Sequence, residues 1–72
     1  MTKDMQTALE ALRISPESSF TRKADGTKWA SVYLDNAIPA GWSGHKWAGV
    51  LGALEKAGYY SQLDGHFGDV KL

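Results

Sequence analysis

Apolar residues recur at a helical interval in two parts of the chain. Near the N-terminus, Met5, Ala8, Leu9 and Leu12 follow the i, i+3, i+4, i+7 spacing of one buried helix face. Thr2 can cap that helix, and Asp4 suits its first turn. Ser15-Pro16 stops it, because the residue before a proline is pushed out of the helical region. A helix over 3–13 is predicted. Further along, Trp47, Val50, Leu51 and Leu54 repeat the spacing, with Ser43 at the N-cap position and Gly58 as a C-terminal stop after Ala57. That predicts a helix over 43–57. Tyr59–Leu63 and His66–Val70 then flank Asp64-Gly65, the signal of a type I′ hairpin. With a two-residue loop, Tyr59, Leu63, Val70 and Leu72 share the inward face, and Tyr60, Gln62, Phe67 and Asp69 share the outward one. Leu72 at the end of the run predicts a docked terminal strand.

The middle of the chain supports two patterns. Pro16–Gly26 is polar, with Phe20 as its only large apolar residue, and Ala24-Asp25-Gly26-Thr27 is a turn signal. Lys28–Ile38 reads as a helix capped by Thr27, with Trp29, Val32 and Tyr33 on one face. Lys28–Leu34 also reads as a strand that forms a hairpin with Phe20–Lys23 around Asp25-Gly26, since Trp, Val and Tyr favour strands and Asp-Gly favours hairpin turns. Pro39-Ala-Gly-Trp-Ser43 is a turn leading into the later helix.

Length and composition narrow the class. Seventy-two residues make one small domain with a marginal core, which must bury most of its large apolar side chains. At 43% hydrophobic residues, with three Trp, three Tyr and two Phe, the chain has enough apolar surface to fold. Without cysteine it has neither disulfides nor a thiolate metal site. No apolar run is long enough to span a membrane. The opening Met-Thr-Lys-Asp does not resemble a secretory signal, so a cytoplasmic location is expected. Eight Lys and Arg balance eight Asp and Glu. Neutral charge argues against a nucleic-acid partner, because phosphate neutralisation drives such binding. The distribution is uneven: Arg22–Lys46 holds four cations against two anions, and Trp47–Leu72 holds two against three.

The candidate chemistry is that of contact. Opposite the apolar stripe, helix 43–57 presents His45, Gly49, Gly52 and Lys56, flanked by Ala48 and Ala53. A glycine in a helix interior costs up to about 1 kcal/mol relative to alanine. Two on one face suggest close approach, by a partner or by another helix of the same domain. His45 and Lys46 stand at the helix N-terminus, whose amides attract anions. On the predicted outward face of the hairpin, Tyr60 and Phe67 lie near Lys71, as a stacking surface or as a cross-strand pair that supports the sheet. Arg22, Lys23 and Lys28 are supporting cations. The tryptophans are expected in the core, with Trp42 stapled onto the helix that follows it. Catalysis is not expected: His45 and His66 are the only histidines, no nucleophile has an adjacent base, and no phosphate loop is present. Hairpin alternation separates His66 from Asp69, so no metal or other cofactor is expected.

The run Leu54-Glu55-Lys56-Ala57-Gly58-Tyr59-Tyr60 resembles the end of the recognition helix in winged helix-turn-helix regulators, where such a segment leads into the wing. The resemblance covers the C-terminal half. It implies an α+β domain over 1–72 of three helices followed by a C-terminal hairpin, and it favours the helical reading of 28–38 as the second helix. A further strand or hairpin over 20–34 is the other reading. It also implies a small bacterial or phage DNA-binding regulator of transcription that contacts duplex DNA through helix 43–57 and hairpin 59–72. The alternative is a protein–protein interaction adaptor or inhibitor that uses the same helix face, and a glycine-smooth face also suits a homodimer. Pro39-Ala-Gly-Trp and the lack of Arg, Asn and Gln on the helix face depart from the regulators' pattern.

Overall fold

The computed structural model describes residues 1–14 and 16–72. It contains α1 (Lys3–Ile14), β1 (Ser18–Thr21), β2 (Lys28–Tyr33), a 3-10 turn (Leu34–Asn36), α2 (Gly44–Lys56), β3 (Tyr60–Gln62) and β4 (Phe67–Lys71). The strands form one antiparallel sheet in the order β1-β2-β4-β3. The chain is therefore an α+β domain with two helices and four strands among the described residues. α1 packs on α2 and on β4, and α2 packs on β3.

Both helices form for the reasons their sequences carry. The Thr2 hydroxyl accepts the Met5 amide at 3.1 Å, and Ala8, Leu9 and Leu12 are buried. The expected stop at Ser15-Pro16 includes Ser15, which lies outside the described residues. In α2 the Ser43 hydroxyl accepts the Lys46 amide at 3.1 Å, and Trp47, Leu51 and Leu54 are buried. Trp42, just before the cap, meets Trp47 edge-on at 6.0 Å as a hydrophobic staple. Gly58, at φ 86°, ends the helix, with its amide on the Glu55 carbonyl and the Tyr59 amide on the Leu54 carbonyl. That pair of bonds is a Schellman motif, which favours glycine at its left-handed position.

The expected second helix is absent: Lys28–Tyr33 is a strand, followed only by the 3-10 turn. The hairpin reading holds, with Phe20 opposite Trp29 and Ser18 opposite Ser31. The Asp25 carboxylate accepts the Thr27 amide and hydroxyl at 3.1 and 2.6 Å, and Gly26 takes φ 72°. Trp29, Val32 and Tyr33, which would share a helix face, are divided by the pleat. Ala30 and Val32 enter the core under the helices, whereas Trp29 lies on the other face beneath the Arg22 guanidinium, 3.9 Å from its ring centre. β2 therefore buries residues on both faces, and the clean alternation of a one-sided strand is lost.

The second hairpin forms with its pairing moved by one residue. Tyr60 pairs with Val70 and Gln62 with Gly68. The loop is longer than a two-residue turn because the Asp64 carboxylate accepts the His66 and Phe67 amides, at 2.7 and 2.9 Å. Gly65 lacks the positive φ that a type I′ turn requires. A one-residue slip exchanges the faces of a strand. Tyr60 thus enters the core at 3% exposure, whereas Leu63 and Leu72 stay exposed. The terminal segment is docked through its backbone, with the Leu72 amide on the Lys28 carbonyl at 2.9 Å. Arg13 ties α1 to the same end of the sheet by two bonds to the Lys71 carbonyl, at 2.9 and 2.7 Å.

Candidate functional site

The residues expected to form one surface lie in three places. His45, Gly49, Gly52 and Lys56 are exposed on α2. Lys46, at the start of that helix, sits 3.6 Å from the Asp4 carboxylate and 4.5 Å from the centre of the Trp42 ring. Phe67 and Lys71 belong to the sheet face turned away from the helices. There Phe67 meets Tyr33 edge-on at 5.1 Å, and Lys71 pairs in register with Trp29, which Arg22 covers. Lys23 is exposed in the β1–β2 loop and Lys28 at the start of β2. Tyr60 leaves the outer sheet face and turns into the core beside α2. Its hydroxyl donates to the Gln62 side chain, and its ring fills the space over Gly68 where a Cβ would otherwise stand. The expected Tyr60–Phe67–Lys71 surface therefore does not form, because the slipped register puts Tyr60 and Phe67 on opposite faces.

Among the described residues, no neighbour of α2 requires glycine at position 49 or 52. A Cβ placed on Gly49 or Gly52 would find no atom within 4 Å apart from the adjoining chain and the helix's own backbone. The expectation that they make room for another helix of the domain is overturned: α1 packs against a different side of α2. What adjoins Gly52 is a cleft of about 290 Å³ between α2, the 3-10 turn and the β3–β4 hairpin. Its wall is formed by Trp47, Ala48, Leu51 and Gly52 of α2, with Leu34 and Tyr60 opposite. The size approaches the lower end of small-ligand pockets, and the lining is predominantly apolar.

Polar groups at the cleft are few and specific. Asp35 and Glu55 contribute carboxylates, and among the described residues no lysine or arginine lines it. Glu55 accepts the Gln62 amide at 3.2 Å, and Asp35 lies 3.5 Å from His66 Nδ1. Gln62 is engaged by the Tyr60 hydroxyl and by the Phe67 carbonyl. Burial, followed by the charges of Glu55 and Asp69, pushes the Tyr60 phenol up to about 12. It stays neutral and serves as a hydrogen-bond donor. Trp47 is 5% exposed, and its buried indole N–H has no acceptor among the described residues. This set of groups offers apolar contact and negative charge.

Gly52 marks the α2 side of this cleft in the sequence, and nothing local marks its other wall. Leu34 and Asp35 reach it only because β2 is a strand followed by a tight turn. Tyr60 reaches it only through the altered hairpin register. Glu55 carried a readable signal, one turn beyond Gly52 on the same flank of the helix. Among the described residues, no helix is long and apolar enough to cross a membrane, and no group of three or more His, Asp or Glu is placed to hold a metal. No protein-family model, curated protein or solved structure matches the chain.

Proposed function

We propose that this domain is a non-catalytic interaction module that docks a protein partner on α2 and its adjoining cleft. The observation that carries this reading is the exposed helix face around Gly49 and Gly52, empty beyond its Cβ positions and continuous with an apolar recess. Glycines that weaken a helix without relieving an internal clash are accounted for by a close external contact. A photo-crosslinking side chain at position 49 tests it: adducts formed in the native cell should be protease-sensitive and should contain a discrete polypeptide. Nuclease-sensitive adducts, or none, overturn the proposal.

Duplex DNA binding through the same helix is the second reading. Its support is element order, since a capped helix that runs through a Schellman motif into a hairpin is how a winged helix-turn-helix ends. Charge placement weighs against it. Lys46 is paired with Asp4, and Arg22 and Lys71 lie on the opposite side of the sheet from the cleft. Few cations are left on α2 to neutralise phosphates together. In an NMR titration with duplex DNA at low salt, His45, Lys46, Gly49 and Gly52 should not shift. Salt-sensitive shifts at those residues would instead establish DNA as the partner.

A further inference from the structure

The cleft also indicates the chemistry of what enters it, given the docking role proposed above. Its wall is apolar along Trp47, Leu51, Leu34 and Tyr60, and Gly52 leaves it open on the helix side. Its charged lining is of one sign. Asp35 enters from the 3-10 turn and Glu55 from α2, so two separate elements bring carboxylates to one recess. Neither carboxylate has a lysine or arginine within ion-pair distance among the described residues. Asp35 faces His66 at 3.5 Å and the Tyr33 hydroxyl, and Glu55 gives one oxygen to a backbone amide. The polar side chain between them, Gln62, is already bonded to Tyr60. An anionic occupant would be repelled, and a neutral one would leave Glu55 without a counter-charge and Asp35 with the His66 imidazole alone as its charge partner.

We infer that the cleft receives an apolar side chain of the partner polypeptide flanked by lysine or arginine. The apolar group lies against Trp47 and Leu51 beside Gly52, and the flanking cations face Asp35 and Glu55. Complementary charge of this kind selects the partner and sets its register more than it sets raw affinity.

Three capped tripeptides added to the full chain test this: acetyl-Arg-Phe-Arg-amide, acetyl-Gln-Phe-Gln-amide and acetyl-Glu-Phe-Glu-amide. Binding is followed by NMR at the Trp47 indole and at the Leu51 and Gly52 amides. The arginine peptide should bind tightest, by about tenfold over the glutamate peptide at low salt. Glu55→Gln with Asp35→Asn should reduce that ratio to about twofold while leaving the glutamine peptide unchanged. Gly52→Leu should abolish binding of all three, with the fold retained by circular dichroism, because the added side chain enters open space. Cleft shifts of equal size for all three peptides, or a preference for the glutamate peptide, overturn the inference and leave the docking role standing. Shifts that persist in Gly52→Leu overturn the cleft as the site. If no peptide perturbs these residues, the inference and the docking role fail together.

Discussion

The two hairpins of this sheet share their local chemistry and differ in what covers them. Each turns at Asp-Gly, and each aspartate accepts the amide two residues ahead, Asp25 from Thr27 and Asp64 from His66. Neither makes the tight two-residue turn that the dipeptide suggests. Beyond the loops the resemblance ends. β1 is a free edge, exposed along its whole length, with Phe20 41% exposed. β3 is the other edge, but α2 lies against it, Tyr60 is buried, and Glu55 accepts the Gln62 amide. Local sequence closes the loops, and the overlying helix decides which hairpin becomes part of the core and of the cleft.

Substitutions on the two sides should separate accordingly. Leu54, fully buried in α2, gives the largest effect: Leu54→Ala should lower stability by about 3 kcal/mol in urea unfolding. Gly68→Ala follows at about 2 kcal/mol, because its methyl would meet the Tyr60 ring. That cost should shrink in a Tyr60→Ala background, and additivity of the two changes would show that the ring and Gly68 do not interact. Ser43→Ala should cost about 1 kcal/mol by removing the α2 cap. Phe20→Ala, on the uncovered edge, should change stability by under about 0.5 kcal/mol. An effect there as large as that of Leu54→Ala would erase the distinction between the edges.

The same contrast can be sharpened with pH. The Tyr60 phenol titrates higher in the folded chain than in the unfolded one, because burial disfavours the phenolate. Its contribution is complete below the ordinary value of 10 and is lost as pH rises through about 12. Alkaline titration should therefore destabilise the chain over that interval, and Tyr60→Phe should flatten the response. The loop carboxylates act in the opposite direction. Hydrogen bonds from Thr27 hold Asp25, and amide bonds from His66 and Phe67 hold Asp64, below the ordinary carboxylate value of 3.8. Their contribution is present above that value and is lost as pH falls through the lowered one. Amide exchange at Thr27, His66 and Phe67 should report that loss, and Asp64→Asn should remove it from the second loop alone.

Sequence patterning reached the parts of this fold whose determinants are local. The stripes of both helices, the Ser43 cap, the Gly58 stop and the Trp42–Trp47 staple depend on residues within a few positions of one another, and each appears where the spacing places it. The identity of 28–33 is settled by strand pairing on both sides and by the core that covers Ala30 and Val32. Arg22, from the loop after β1, covers Trp29 on one face, and Ala30 and Val32 lie in the core on the other, so the strand has no single apolar face for periodicity to detect. The Asp64 loop adds one residue to the turn, and that alone moved Tyr60 from the outer face to the core. The candidate site was half legible for the same reason. Gly49 and Gly52 could be read from the helix, whereas Leu34, Asp35 and Tyr60 join them only through tertiary placement.

If α2 carries its glycines for a contact outside the fold, the fold itself does not need them. Equilibrium urea unfolding of the Gly49→Ala/Gly52→Ala variant tests it most directly. Both Cβ positions open onto empty space, so stability should rise by about 1–2 kcal/mol as helix propensity improves. A fall in stability would show that the fold itself requires those glycines and that no outside contact is needed to explain them.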